Sequence, residues 1–438
     1  MRRVNGLDAA LAAIAGVRRG DEAEIRTDGN GLYERALSPD EFARRVIAEV
    51  QRDGDAAVRR VTKALDGVEP GPFEVPQERV RAALDKVKPE TRAALEKAAE
   101  RVRRFQQSAM PKSWRDASGQ FGEEVRPLGR AGIYIPGGTA PLASSVIMTV
   151  VPARVAGVDE VIIATPARGN NDPHPVVLTA AALAGADRVF RIGGAQAIAA
   201  MAYGTESVPS ADVICGPGNA FVTAAKKAVF GDVGVDGLYG PTETAVIADN
   251  YADPSYAAAD LLAQAEHDVV ALPVLIATSA ETADRIEAEI ASQVKSLSRR
   301  AIAEKAVARG ITAVVGSVEE AIRVANSLAP EHLCVSVQDA PRYLPQIRYA
   351  GGIFLGEFSA EVMADYVAGP SHVMPTGGTA RFASALSVRN FLRISPFLNF
   401  DETSFLELAQ DAATLAHEEG LDGHAAAAEL RHRKMIGE

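Results

Sequence analysis

Two long stretches of the chain alternate short apolar runs with helical patterns, and this constrains the fold more than any other feature. In the first, 131–239, strand patterns at 132–135, 160–165, 188–192 and 212–215 are each followed by a helical pattern, at 144–157, 176–184, 195–202 and 220–229. Three of the junctions are glycine turns: Pro136-Gly-Gly-Thr139, Gly193-Gly-Ala-Gln196 and Gly216-Pro-Gly-Asn219. The second stretch follows Gly240-Pro-Thr-Glu243, with strands at 244–248, 270–278, 312–315, 334–337 and 352–355 and helices at 254–267, 280–296 and 318–327. Parallel neighbours need a crossover between them, usually a helix. The alternation therefore predicts an α/β chain with two doubly wound, Rossmann-like domains.

The flanks read differently. Residues 1–31 carry a short helical pattern and a polar glycine-rich break, and are expected to form an arm. Ser38-Pro-Asp-Glu41 combines a cap, an early proline and an acid at the third position, which starts a helix. Helical patterns continue through 76–107. The expected division joins 32–130 with 240–380 as one α/β domain and sets 131–239 apart as a second. The last segment, 381–438, bends at Ser395-Pro396, then shows helices at 403–418 and 424–434. With no strand to complete, it is expected to pack on another subunit.

Composition removes several function classes. The net charge is −11, and no basic tract is long enough to follow a phosphate backbone, which argues against nucleic acid. Asp8 interrupts the apolar run near the N-terminus, and Pro152 and Arg154 break the most apolar stretch, so neither a signal peptide nor a membrane span is expected. The two cysteines, Cys215 and Cys334, form no CxxC. A reducing cytoplasm is the expected location.

Candidate chemistry centres on Asp260-Leu-Leu-Ala-Gln-Ala-Glu-His267. Gln264 and His267, three apart, share one helical face. They could be two ligands of one metal ion, or two capped polar groups at a helix end. Of the seven histidines, His174, His417 and His432 lie in a loop or among helix charges. Glu331-His332 follows Pro330 at a helix-to-strand junction, where it is either a base with its neighbour or an ordinary solvated turn. Asp365 and His372 flank a glycine-bearing loop after a strand end, the position where open α/β sheets bind ligands. Glu419 and His424 straddle the break between the two tail helices. Gln264, His267, Asp365 and His424 together form an N/O donor set suited to Zn²⁺, Mn²⁺ or Co²⁺. The glycine turns offer backbone N–H groups to anions, although none is a GxGxxG fingerprint.

The segments GIYIPGG (132–138), RIGGAQAIAAMAYGTE (191–206), CGPGNAFVTAAKK (215–227), DLLAQAEHD (260–268), APEHL (329–333), HVMPTGG (372–378) and EEGLDGH (418–424) stand in order. Over roughly 30–434 the chain resembles the histidinol dehydrogenase family. The resemblance implies a domain-swapped homodimer that oxidises L-histidinol, an amino alcohol, to L-histidine through the aldehyde with two NAD⁺. It also implies a zinc ion that holds the substrate and takes no part in redox chemistry. By the same resemblance, Gln264, His267 and Asp365 of one subunit and His424 of the other would be the ligands. His332 would be the general base, and Glu331 would help activate water. Thr242, His372 and Glu419 would line the substrate pocket with His332 and the ligands. Tyr134, Gln196 and Asn219 would contact NAD.

Two positions depart from the family pattern: Thr242 stands where serine is usual, and Ser371 where asparagine is usual. Both keep a polar group and remove no catalytic one. Relatives that oxidise other alcohols, such as a sulfonated propanediol, are the alternative. Glu419 argues against a sulfonate, which it would repel. An unperturbed imidazole pKa near 6.5 suits His332 to base work.

Overall fold

The computed structural model describes residues 1–17, 25–67, 69–137, 141–167 and 172–437. Gly138 and Thr139 of the first glycine turn, and part of the loop expected after the 160–165 strand, lie outside these. By its internal contacts the chain divides into two units, Met1–Met110 with Leu128–Phe391, and Pro111–Pro127 with Leu392–Glu438.

The larger unit holds two six-stranded sheets. In the first the order is Glu74–Val75, Arg188–Phe190, Glu160–Ala164, Arg130–Tyr134, Val213–Cys215, Gly234–Val235, parallel except for the first strand. The direction of winding reverses between Arg130–Tyr134 and Val213–Cys215, which puts a switch-point crevice at the carboxyl ends of these two strands. The second sheet is all parallel, ordered Arg2–Asn5, Ile311–Val314, Leu272–Ala277, Glu243–Ala248, His332–Ser336, Gly352–Leu355. Its central strands are buried along their length, as helices on both faces require.

Two expectations about the larger unit are corrected. The N-terminal segment is not an arm: Arg2–Asn5 pairs in parallel with Ile311–Val314, and Ala10, Ala13 and Ile14 of the following helix join that sheet's core. A four-residue edge strand beside a helix carries too little pattern to be seen alone. The helical segment after residue 32 does not join the 240–380 half. Helices Pro39–Asp53 and Asp55–Asp66 bury Phe42, Val46, Val50, Val58 and Val61 in the core that contains Ile198, Ile214 and Val222, and Glu74–Val75 extends the first sheet. An amphipathic stripe shows that a helix buries a face, not which sheet receives it.

The smaller unit corrects a third expectation, because the tail does complete a sheet. Leu392–Leu398 pairs antiparallel with Phe121–Pro127, which also pairs with Trp114–Arg115. Pro396, read as a bend, sits in an edge strand, where its missing N–H costs no ladder bond. Helices Glu402–Glu418 and Asp422–Ile436 follow, with Ala409, Ala413, Ala416 and Ala425 buried. No helix among the described residues is long and apolar enough to cross a membrane.

The crevice of the first sheet depends on one glycine. Gly216 has φ 118°, and a Cβ there would lie 2.1 Å from the carbonyl oxygen of Tyr134. Gly216→Ala is expected to lower stability by about 2 kcal/mol or more, from backbone strain and collision with main chain that cannot rotate away. Chemical denaturation of the variant checks this, and wild-type stability would show that the turn can relax.

Candidate active site

The site forms where the carboxyl edge of the first sheet meets the amino edge of the second. Thr242 precedes the strand Glu243–Ala248, and Glu331 and His332 stand at the start of His332–Ser336, beside it in register. The helix Pro254–Ala265 runs back against its strand, so its last turn returns Gln264 to the same edge. Ligands in open α/β sheets usually sit at carboxyl ends. The expected strand-end placement of Asp365 and His372 therefore differs from what is seen: the short helix Glu361–Tyr366 carries Asp365 back to the amino ends of the neighbouring strands.

Side chains from four segments converge there. Gln264 Nε2 donates to Asp365 Oδ2 at 3.2 Å, and Thr242 Oγ1 donates its one proton to Glu331 Oε2 at 2.5 Å while lying 3.0 Å from Gln264 Oε1. His332 Nε2 lies 3.4 Å from Asp365 Oδ1, its Nδ1 lies 3.6 Å from Glu331 Oε2, and its ring stacks on Phe354. His372 Nδ1 donates to the Asp365 carbonyl at 2.7 Å. Because a carbonyl only accepts, Nδ1 carries the proton, and in the neutral ring Ser145 Oγ donates to Nε2 at 3.0 Å. Ser145 is in the first turn of the helix Ala143–Ala156 on the first sheet, so this bond joins the two sheets across the site.

His267 stands just past its helix, which ends at Ala265 rather than continuing to 267, and its backbone N–H bonds the Gln264 carbonyl at 3.1 Å. Its ring keeps an edge open to solvent. Surrounding protein atoms still lower its pKa, against the pull of Asp365 and Glu331. A neutral imidazole is the form that ligates a metal.

The electrostatics of His332 differ from the ordinary imidazole expected. Burial opposes its charge, yet Glu331, Asp365 and Glu361 outweigh burial and raise its pKa well above the usual value. Its Nδ1 has no hydrogen-bond partner among the described residues. Burial raises the pKa of Asp365 less than the neighbouring imidazoles lower it, so this carboxylate stays ionised.

A metal fits part of this constellation. The Gln264 amide and the Asp365 carboxylate are in hydrogen-bond contact, so both reach one ion once the amide turns to present its oxygen, the atom that ligates. Among the described residues, however, no three His, Cys, Asp or Glu side chains cluster as a metal site. At this edge the described residues thus offer an amide, a carboxylate and the nearby His267, short of a full set. Glu419 caps the helix Glu402–Glu418, and His424 opens the next; both belong to the smaller unit and are exposed.

The expected dinucleotide contacts all lie at the first sheet's carboxyl edge. Tyr134 ends its strand, and its hydroxyl accepts from Gly194 N at 3.1 Å. Gln196 is buried, donates to Thr62 Oγ1 at 3.3 Å, and among the described residues leaves Oε1 without a partner. Asn219 is exposed and spends its carbonyl oxygen capping the next helix, accepting from Phe221 N and Val222 N.

Sequence reasoning missed Ser145 and Glu361. Ser145 lies in an unbroken apolar helix, and Glu361 opens a helix whose first turn commonly holds an acid. Glu361 is fully buried, accepts from Thr244 Oγ1 at 3.0 Å, and is raised to about 8 chiefly by burial, with His332 opposing and the Asp365 and Asp260 carboxylates adding smaller upward pushes.

Comparison with known proteins covers most of the chain. The sequence profile of the family described as histidinol dehydrogenase matches residues 35–432. Histidinol dehydrogenase of Deinococcus radiodurans is 48% identical over 400 residues, covering 90% of this chain and 91% of the relative. That of Thermus thermophilus is 48% identical over 396 residues, covering 90% and 94%. The crystal structure of histidinol dehydrogenase from Elizabethkingia anophelis superposes with a TM-score of 0.91 at 31% identity, covering 100% of this chain and 99% of that one.

Glu361 makes a testable contribution to stability. Its folded pKa of about 8 exceeds the ordinary 4.5, so the folded state holds the proton more tightly and stability falls as pH rises between these values. Glu361→Gln carries the neutral form at every pH. Its melting temperature relative to wild type is expected to climb steadily from pH 5 to pH 8; a constant difference would mean the carboxyl is ionised throughout.

Proposed function

We infer the roles at this site from one premise: the chain belongs to the histidinol dehydrogenase family. It is an oxidoreductase, and its reaction is the oxidation of the amino alcohol L-histidinol to L-histidine. The observation that carries the residue roles is the convergence of Gln264, Asp365, Glu331 and His332 at one sheet edge, beside the crevice of the other sheet.

The reaction removes two hydrides. R–CH₂OH, water and two NAD⁺ give R–COO⁻, two NADH and three protons. NAD supplies the hydride acceptor, and Tyr134, Gln196 and Asn219 would hold it at the switch-point crevice. The Gln196 oxygen, which has no partner among the described residues, and the Asn219 amide, which the helix cap does not use, are the groups left for it.

Gln264, His267 and Asp365 would hold a zinc ion with His424 of the partner subunit. When bound, the metal supplies a Lewis-acidic anchor for the substrate's nitrogen groups, which fixes the carbon to be oxidised. His332 takes the hydroxyl proton at its partnerless Nδ1 or at Nε2. His332, held protonated by the neighbouring carboxylates, would return toward base strength with a cation beside Asp365. Glu331, aligned by Thr242, accepts the proton of the water that adds to the aldehyde. Thr242 keeps the hydroxyl that this alignment needs. His372 holds the Asp365 carbonyl and so orients the short helix that carries this carboxylate. Glu419 of the partner subunit would meet the substrate's ammonium group.

A homodimer with exchanged tails accounts for the incomplete donor set. It also accounts for the apolar surface of the smaller unit, where Leu398 and Leu415 are 72% and 64% exposed. Such side chains are commonly covered in an obligate interface.

Two experiments test this reading. With zinc added and the reaction run to completion, two NADH per histidinol are expected; a yield of one, or faster turnover of a sulfonated propanediol, would overturn the assignment. His267→Asn and a chain lacking residues 420–438 are each expected to be inactive. An equal mixture re-formed from separated subunits should regain about a quarter of wild-type activity, since half the dimers then hold one whole site. No recovery would place His424 in its own subunit's site.

A further inference from the structure

The first sheet carries a buried ion pair that the chemistry above does not use. Lys226, in the helix Ala220–Val229, pairs with Asp236, and their side chains are 2% and 0% exposed. Neither can reach substrate or cofactor. Both are bonded to the same residue. Lys226 Nζ donates to the carbonyl of Gly216 at 3.0 Å, and the Gly216 N–H donates to Asp236 Oδ2 at 2.7 Å. Asp236 Oδ1 also accepts from Gly237 N at 2.9 Å, and the ammonium lies 4.7 Å from the centre of the Tyr239 ring.

Stability does not explain such a pair. Desolvating two charges costs several kcal/mol per ion, and well-packed neutral replacements of buried pairs are often neutral or stabilising. Orientation does explain it. Gly216 adopts a positive φ that glycine alone enters readily, so nothing in its own side chain holds it there. It packs against the Tyr134 carbonyl and begins the turn that ends in Asn219. The ion pair grips both of its main-chain polar groups from opposite sides, so the peptides on either side cannot rotate.

We propose that Lys226 and Asp236 are positioning residues that lock the Gly216–Asn219 turn in the orientation that receives the dinucleotide. The proposal rests on the reading that NAD lies at this turn. The pair acts on cofactor binding through the backbone and leaves the substrate edge untouched.

The test is steady-state kinetics of the full-length, zinc-loaded enzyme carrying Lys226→Met with Asp236→Asn, which removes both charges together. The KM for NAD is expected to rise at least tenfold, with kcat within threefold and the KM for histidinol unchanged. Lys226→Gln with Asp236→Asn restores a neutral donor to the Gly216 carbonyl and should recover most of the NAD affinity. Melting temperatures separate this from general damage, since loosened packing would move kcat and both KM values together. An unchanged KM for NAD in a folded Met/Asn variant overturns the proposal. So does equal impairment of the Gln and Met variants, or failure of both to fold, which would make the pair a folding requirement. Asn219→Asp keeps the helix cap but sets a negative charge on the turn. If it too leaves NAD affinity unchanged, the placement of NAD fails, and the clamp with it. If it weakens NAD while the Met/Asn variant does not, only the clamp fails.

Discussion

The site depends on what surrounds the Asp365 carboxylate. Gln264 and His332 approach its oxygens from two different segments, and His372 holds its carbonyl from a third. Glu331 adds negative charge close by, and Glu361 adds more once it ionises. A half-buried carboxylate with two acidic neighbours is an unfavourable arrangement unless cationic charge balances it. In the protein alone the His332 proton supplies part of that balance. A divalent cation would supply more, and would free the imidazole to act as a base.

The fold produces this crowding through the way its two sheets meet. The first presents its carboxyl edge, the usual ligand edge of a wound sheet; the second presents its amino edge. Helices that return after the Glu243–Ala248 and Gly352–Leu355 strands deliver Gln264 and Asp365 to that second edge. The Ser145–His372 bond ties the edges together, so the crevice of the first sheet and the carboxylate cluster of the second share a polar contact as well as a boundary. Hydride transfer requires such an arrangement, since donor carbon and acceptor ring must be held face to face.

Both edges also contain polar groups placed at a cost to stability. Glu361 is kept neutral by burial, the His332 Nδ1 and the Gln196 Oε1 have no partner among the described residues, and Lys226 with Asp236 forms a dry ion pair. Local violations of packing rules of this kind concentrate at functional sites. Here each adjoins either the carboxylate cluster or a glycine turn.

The sequence by itself determined the alternating architecture, because strand and helix periodicity and glycine turns are local signals. It also singled out Gln264, His267, Glu331, His332, Asp365 and His372, since clustered imidazoles and carboxylates in short motifs are visible without coordinates, and the motif order pointed to the family. Only the tertiary structure decided which sheet the 39–66 helices cover, that residues 2–5 form an edge strand, and that 392–398 pairs with 121–127. Each of these depends on contacts between segments far apart in the chain, which periodicity cannot encode. The same reason hid Ser145, Glu361 and the Lys226–Asp236 clamp. A serine, a glutamate or a lysine on a helix looks ordinary until folding buries it and chooses its partner.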